Sequence, residues 1–140
     1  MTFAHDTTDH LGLEILTVDE CWIAVRGAPV GRVAFVDAGE PVMLPVTHSV
    51  DGHHVVFRSA QGTKLWAVES GHPVAFEADG WDADARTGWS VLVRGTAETV
   101  LDDREIARLD REAAVPWLPE ARDGTWVRIT PTEVTGRRLG

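Results

Sequence analysis

Tyrosine is absent from this chain of 140 residues, and lysine and cysteine occur once each. The lone cysteine, Cys21, excludes an intrachain disulfide and a cysteine-built zinc cage. Long apolar runs are missing as well. None approaches the ~18 residues of a membrane-spanning helix. The first ten residues, MTFAHDTTDH, are polar and acidic and lack the apolar centre of a secretory leader. Positive charge is scarce, with 13 basic residues against 22 acidic ones and a formal net charge of −9. Nucleic acids and anionic membranes need clustered Lys and Arg, so neither is an expected partner. A small anion is not excluded, because one pocket can be positive on an acidic surface. Together these absences read as a cytoplasmic protein.

The hydrophobic fraction of 44% and charged fraction of 25% are those of an ordinary globular chain. Residues 1–10 read as a flexible tail and 11–140 as one domain. TVDECWIAVRG reads as a short helix, with Thr17 and Glu20 as its capping box and Gly27 as its stop. VGRVAFVD alternates Val30, Arg32, Ala34 and Val36 against Gly31, Val33 and Phe35, the period of a strand. A tight Ala38-Gly39 turn leads to a second strand, about Pro41 to Ser49. Pro45 within it marks an edge or a ligand-facing kink, because proline cannot donate to a ladder. DGHH is a hairpin signal before the strand HVVFRSA. Thr63 to Glu69 reads as a two-turn helix. PVAFEADGWD and GWSVLVRGTAETV return to strand. DDREIARLDREAA is an amphipathic helix capped by Asp102, with Ile106 and Leu109 inward. PWLPEARDG reads as a loop, and TWVRITPTEVTGRRLG as two closing strands around Pro131. The sum is a mostly β chain, a small antiparallel barrel with short flanking helices.

The single lysine, Lys64, lies where the strand VVFRSA gives way to QGTK and the expected helix. Helix N-termini present unpaired N–H groups and a positive dipole end, which suit phosphate. Gly62 lets backbone approach a ligand, Ser59 and Thr63 bring hydroxyls, and Arg58 and Lys64 bring charge. Each charge-assisted hydrogen bond contributes roughly 1.5–3 kcal/mol. The bland alternative is a solvated turn at an ordinary helix start.

The order VGRVAF, PVMLPVTHSVDGHHVVFRSAQGTKLWAV, VAFEADGWD, TGWSVLVRGTAE, PW, VRITPTEVTGRR resembles the pyridoxamine 5′-phosphate oxidase-like flavin-binding split-barrel proteins. The likeness is greatest to their short bacterial branch, and it runs from about Leu13 to Leu139. It implies a six-stranded antiparallel split β-barrel that pairs as a homodimer, with FMN in grooves between the subunits. It implies a flavin phosphate held by Arg58, Ser59, Gly62, Thr63 and Lys64. The ring would lie along Pro45, Val46 and Thr47, and Trp89 and Ser90 would reach in from the other subunit. The implied activity is an oxidoreductase acting on a small molecule, with no catalytic side chain assigned. Deazaflavin is the alternative cofactor, haem is disfavoured, and a non-catalytic carrier or sensor is the alternative role. Arg58 stands where the nitroimidazole-resistance members of this branch carry histidine.

Other residues invite sharper readings that the pattern does not favour. His53 and His54 are neighbours in a turn and point apart, so no metal site is expected. His48, just beyond the ring segment, is a candidate for touching substrate. Glu77, Asp79, Asp82 and Asp84 lack the spacing of a calcium loop and read as a solvated hairpin. Cys21 reads as packed rather than nucleophilic. Trp22 and Trp66 read as packing residues, and Trp81 and Trp89 as groove residues.

Overall fold

The computed structural model of the chain describes residues 8–60 and 71–140. The expected helix over Thr63 to Glu69, and with it Gly62, Lys64 and Trp66, lies outside those residues.

In chain order the elements are β1 (Glu14–Ile15), α1 (Val18–Gly27), β2 (Val30–Asp37), β3 (Glu40–Asp51), β4 (His54–Ser59), β5 (His72–Asp82) and β6 (Thr87–Thr99). There follow α2 (Asp103–Glu112), a 3₁₀ turn (Pro119–Asp123) and β7 (Thr125–Leu139). All pairings are antiparallel, in the order β1-β7-β4-β3-β2-β5-β6, and β6 pairs back onto β7. Six long strands thus close into a ring and two-residue β1 adds to the outside of β7, which is a mostly β split barrel.

Alternation builds the barrel. In β2 the buried residues are Gly31, Val33 and Phe35, while Arg32 and Val36 are exposed, as a period of two requires. Phe57, Phe76, Val91, Val93, Val127 and Ile129 come from the other strands to the same interior. One end is plugged by α1, which buries Cys21, Trp22 and Val25. Both bonds of its capping box form, Glu20 N–H to Thr17 Oγ1 at 3.2 Å and Thr17 N–H to Glu20 Oε1 at 2.8 Å. The helix does not end on a left-handed glycine. Gly27 is its last residue, and extended Ala28 caps it ahead of Pro29.

The hairpins obey their turn residues. Ala38 and Gly39 both have positive φ, 50° and 80°, as a type I′ turn demands, and Gly52 turns at φ 61°. The acidic hairpin of β5 and β6 is closed by Asp82, whose Oδ1 accepts from the N–H groups of Asp84 and Ala85.

Two closing strands were expected, and one is found. β7 runs unbroken through Pro131 because the ladder steps there. Arg94 pairs with Glu133 and Gly95 with Pro131, which leaves Thr132 as the extra residue of a bulge. A proline without a donor is tolerated at such a step. The start of β7 lies between β4 and β6, and its end between β6 and β1.

A second, smaller core sits outside the ring. Leu109 of α2 buries against Val56, Val100 and Trp126, with Ile106 half-buried beside them. Arg108 fastens α2 to the β3–β4 hairpin by two bonds to Asp51, at 2.7 and 3.0 Å, and Arg128 joins Asp51 at 3.2 Å. Hydrogen bonds from Arg108 hold the Asp51 carboxyl below its ordinary range.

Candidate functional site

β4 carries the residues on which the phosphate reading rests. Val55 and Phe57 enter the barrel, and Val56 faces α2. Arg58 shares the parity of Val56 and therefore faces α2, while Ser59 follows the opposite parity. The Arg58 guanidinium is engaged on that side. Its Nε donates to the Gly124 carbonyl at 2.8 Å, and its Nη1 lies 3.1 Å from Asp110 Oδ1. Its charged carbon stands 5.2 Å from the centre of the Trp126 ring, a cation–π distance. Trp126 Nε1 donates to the same Asp110 oxygen at 2.7 Å. This knot joins β4, α2 and β7 at the strand end where the lysine segment begins.

A cleft of about 370 Å³ opens beside the knot. Pro45, Val46 and Thr47 of β3 form one wall, Arg58 and Ser59 another, and Trp117 the rim. Along β3 only His48–Asp51 pair with β4, so among the described residues Glu40–Thr47 has β2 on one side and no strand on the other. Pro41 and Pro45 both occur on that edge stretch, where a missing donor costs no ladder bond.

The rim was not foreseen. The helix α2 ends at Glu112, two residues earlier than the sequence suggested, and residues 113–118 cross the outside of β3. Two hydroxyls hold them there. Ser49 Oγ accepts from Ala114 N–H at 2.7 Å and Thr47 Oγ1 from Trp117 N–H at 3.2 Å. Thr47 and Ser49 are two apart on one strand and so share a face. Pro116 is buried beneath the strap, while the Trp117 side chain stays 67% exposed over the cleft. The only signal in the sequence was the apolar run Val115-Pro116-Trp117-Leu118, where the expected helix gives way to the expected loop.

Of the ten site residues expected from sequence, five line this one cleft: Pro45, Val46, Thr47, Arg58 and Ser59. Gly62, Thr63 and Lys64 lie outside the described residues. Trp89 and Ser90 are elsewhere, at the start of β6. They line a surface groove with Arg137 and Arg138, and Trp89 packs across Gly80 of the neighbouring strand, where a side chain would strike its indole.

His48 is buried, with 4% of its surface exposed. Its Nε2 donates to the Val25 carbonyl at 2.9 Å, satisfying an acceptor at the end of α1, and its ring meets Phe76 edge-on. Its Nδ1 is buried without a partner among the described residues. Burial holds the His48 pKa below the usual 6.5. The unfolded chain therefore takes up a proton below about pH 6.5 while the folded chain resists it, so stability falls as pH drops through that range. Urea unfolding at pH 7.5 and 5.5 should show this loss, bounded by about 1.4 kcal/mol per pH unit for one proton. His48→Gln, whose amide can still reach Val25, should remove that component.

Other predicted assignments find plain places. His53 stacks on Trp22 at 5.5 Å, and His72 contacts the Val36 carbonyl. No group of three or more metal-binding side chains occurs among the described residues. Cys21 is buried and its thiol pKa is pushed up by desolvation. Glu77 and Asp79 flank Arg32 at 3.3 and 3.4 Å on the outer face of the sheet. Desolvation and the neighbouring Asp79 push Glu77 up to about 7.

The family model described as pyridoxamine 5′-phosphate oxidase matches residues 17–138. The chain belongs to that family. The FAD binding protein from Mycobacterium smegmatis is 38% identical, with a TM-score of 0.72 over 89% of this chain and 97% of that one. A conserved protein of unknown function, DIP1874 from Corynebacterium diphtheriae, is 32% identical, with a TM-score of 0.74 over 91% of this chain and 98% of that one. The uncharacterized protein Rv0080 of Mycobacterium tuberculosis is 38% identical over 86% of this chain and 82% of its own length. No helix among the described residues is long and apolar enough to cross a membrane. The family match and the structural neighbours give the chain the pyridoxamine 5′-phosphate oxidase-like fold.

Proposed function

We propose that the chain binds a flavin in the cleft between β3 and the end of β4 and serves as a flavin-dependent oxidoreductase for a small molecule. The observation that carries this reading is the convergence of Pro45–Thr47 with Arg58 and Ser59 around one cavity of about 370 Å³, the size of a small-molecule site. The residues present fit the group. Pro45 gives an apolar wall, Thr47 and Ser59 give polar edges, and the stretch of β3 that pairs with β2 alone among the described residues leaves backbone groups for the rim of a heterocycle. Ser59, Gly62, Thr63 and Lys64 would hold the phosphate, with Arg58 adding its charge and fixing the strand end. A bound flavin supplies the hydride and electron chemistry, and the protein supplies position and electrostatics.

The working unit in this reading is a homodimer in a cytoplasmic setting. Trp89 and Ser90 do not reach the cleft of their own chain, so they would complete the site of a second copy. FMN is the cofactor the sequence resemblance implies. The 38% identical relative named for FAD binding favours the dinucleotide as a second reading. Mass analysis of the ligand released from protein purified from its native host separates FMN, FAD and deazaflavin. A colourless protein that takes up none of them in titration would end the proposal.

The Arg58→Ala/Lys64→Ala double variant should weaken flavin binding at least tenfold while the dimer stays assembled. Calorimetric titration together with sedimentation checks both halves. Unchanged affinity would make the end of β4 a plain turn.

A further inference from the structure

A second cavity, about 460 Å³, lies on the other side of the strap. It is bounded by Arg26 at the end of α1, by Thr47 and Ser49 of β3, and by Glu112 and Trp117. Thr47 and Trp117 belong to both cavities. The proposed phosphate end of the flavin is at Ser59, so this second space continues from the opposite, ring end. The adenosine arm of a dinucleotide leaves from the phosphate and would not be directed there. A molecule meeting the ring would.

Its chemistry has direction. Arg26 is exposed and makes no ion pair among the described residues. Glu112, on the α2 side, is paired with Arg108 at 3.2 Å. One end of the cavity therefore offers an unused fork of donors on a chain whose net charge is −9. Trp117, its backbone fixed by Thr47 and its ring left uncovered, offers a flat apolar face between the two spaces.

We propose that this second cavity is the substrate subsite and that it selects planar aromatic acids, with the carboxylate on Arg26 and the ring against Trp117. The proposal rests on the flavin reading above for its orientation. Its test uses the flavin-loaded protein titrated with 2-naphthoate and with neutral 2-naphthamide, read by calorimetry and by the flavin absorption band. Naphthoate should bind at least tenfold more tightly than the amide and shift the band without displacing the flavin. Arg26→Gln should abolish that preference and leave flavin affinity unchanged, and Trp117→Leu should weaken both probes. Equal binding of acid and amide, an Arg26→Gln variant that keeps the preference, or release of flavin by naphthoate would each overturn the assignment. The same titration on flavin-free chain keeps the two ideas apart. A chain that never takes flavin yet prefers naphthoate through Arg26 retains the subsite and loses the cofactor.

Discussion

Phe76→Ala should lower the free energy of unfolding by about 3–5 kcal/mol, the range for truncating a buried phenylalanine. The ring is fully buried in the middle of β5, and it meets His48 edge-on with centroids 4.9 Å apart. It also occupies the place where Gly31, on the adjacent strand, would carry a side chain. A Cβ there would overlap the Phe76 ring atoms. Removing the ring opens a void that β2, held in its ladder, cannot fill. The two positions should therefore be coupled. Gly31→Ala alone should destabilise by about 1–3 kcal/mol through overpacking. Combined with Phe76→Leu it should cost less than the sum of the two single changes. Chemical denaturation of the four proteins in the cycle checks this, and additive losses would show that Gly31 does not make room for the ring.

Gly124→Ala should have the largest effect on the proposed cofactor site of any single-methyl change. A Cβ at this position would run into the Ser59 carbonyl, a backbone atom that cannot swing aside. Gly124 also accepts the Arg58 Nε bond at 2.8 Å. Pushing the start of β7 away from Ser59 therefore loosens the wall of the cleft and the Arg58 knot together. We expect a stability loss of about 2 kcal/mol, within the overpacking range, and flavin affinity reduced at least tenfold. Thermal unfolding and a flavin titration on the same preparation test both. Normal affinity in a destabilised variant would separate the knot from binding.

What the sequence disclosed, and what it hid, follows the range of the interaction responsible. The capping box of Thr17 and Glu20 closes within one turn, and Asp102 caps α2 by the same local logic, so both helices were readable. Gly39 and Gly52 declare their turns by backbone freedom, and Ala38 is carried into positive φ by the turn it shares with Gly39. The alternation of Gly31, Val33 and Phe35 against their neighbours marked β2 as a strand, and the fold shows that this set is the buried one. By contrast, the strap depends on Ser49 and Thr47 meeting residues some 65 to 70 positions later. Nothing near residue 114 announces that pairing. Arg58 was legible as a cation near a strand end, but its commitment to Asp110 and Gly124 needed the partners in place. Pro131 looked like a break because a local reading cannot see the bulge that accommodates it. The cleft itself was half legible. Pro45 signalled an edge and the family resemblance grouped it with Ser59, while Trp117 entered only through the fold.

β7 touches three other strands, and it is the last of the seven to leave the ribosome. Until Thr125–Leu139 emerges, β4 and β6 present bare edges with Val- and Phe-rich faces, the kind of surface on which nascent chains stick to one another. A message cut short anywhere after α2 would thus yield a sticky open sheet rather than a smaller working protein.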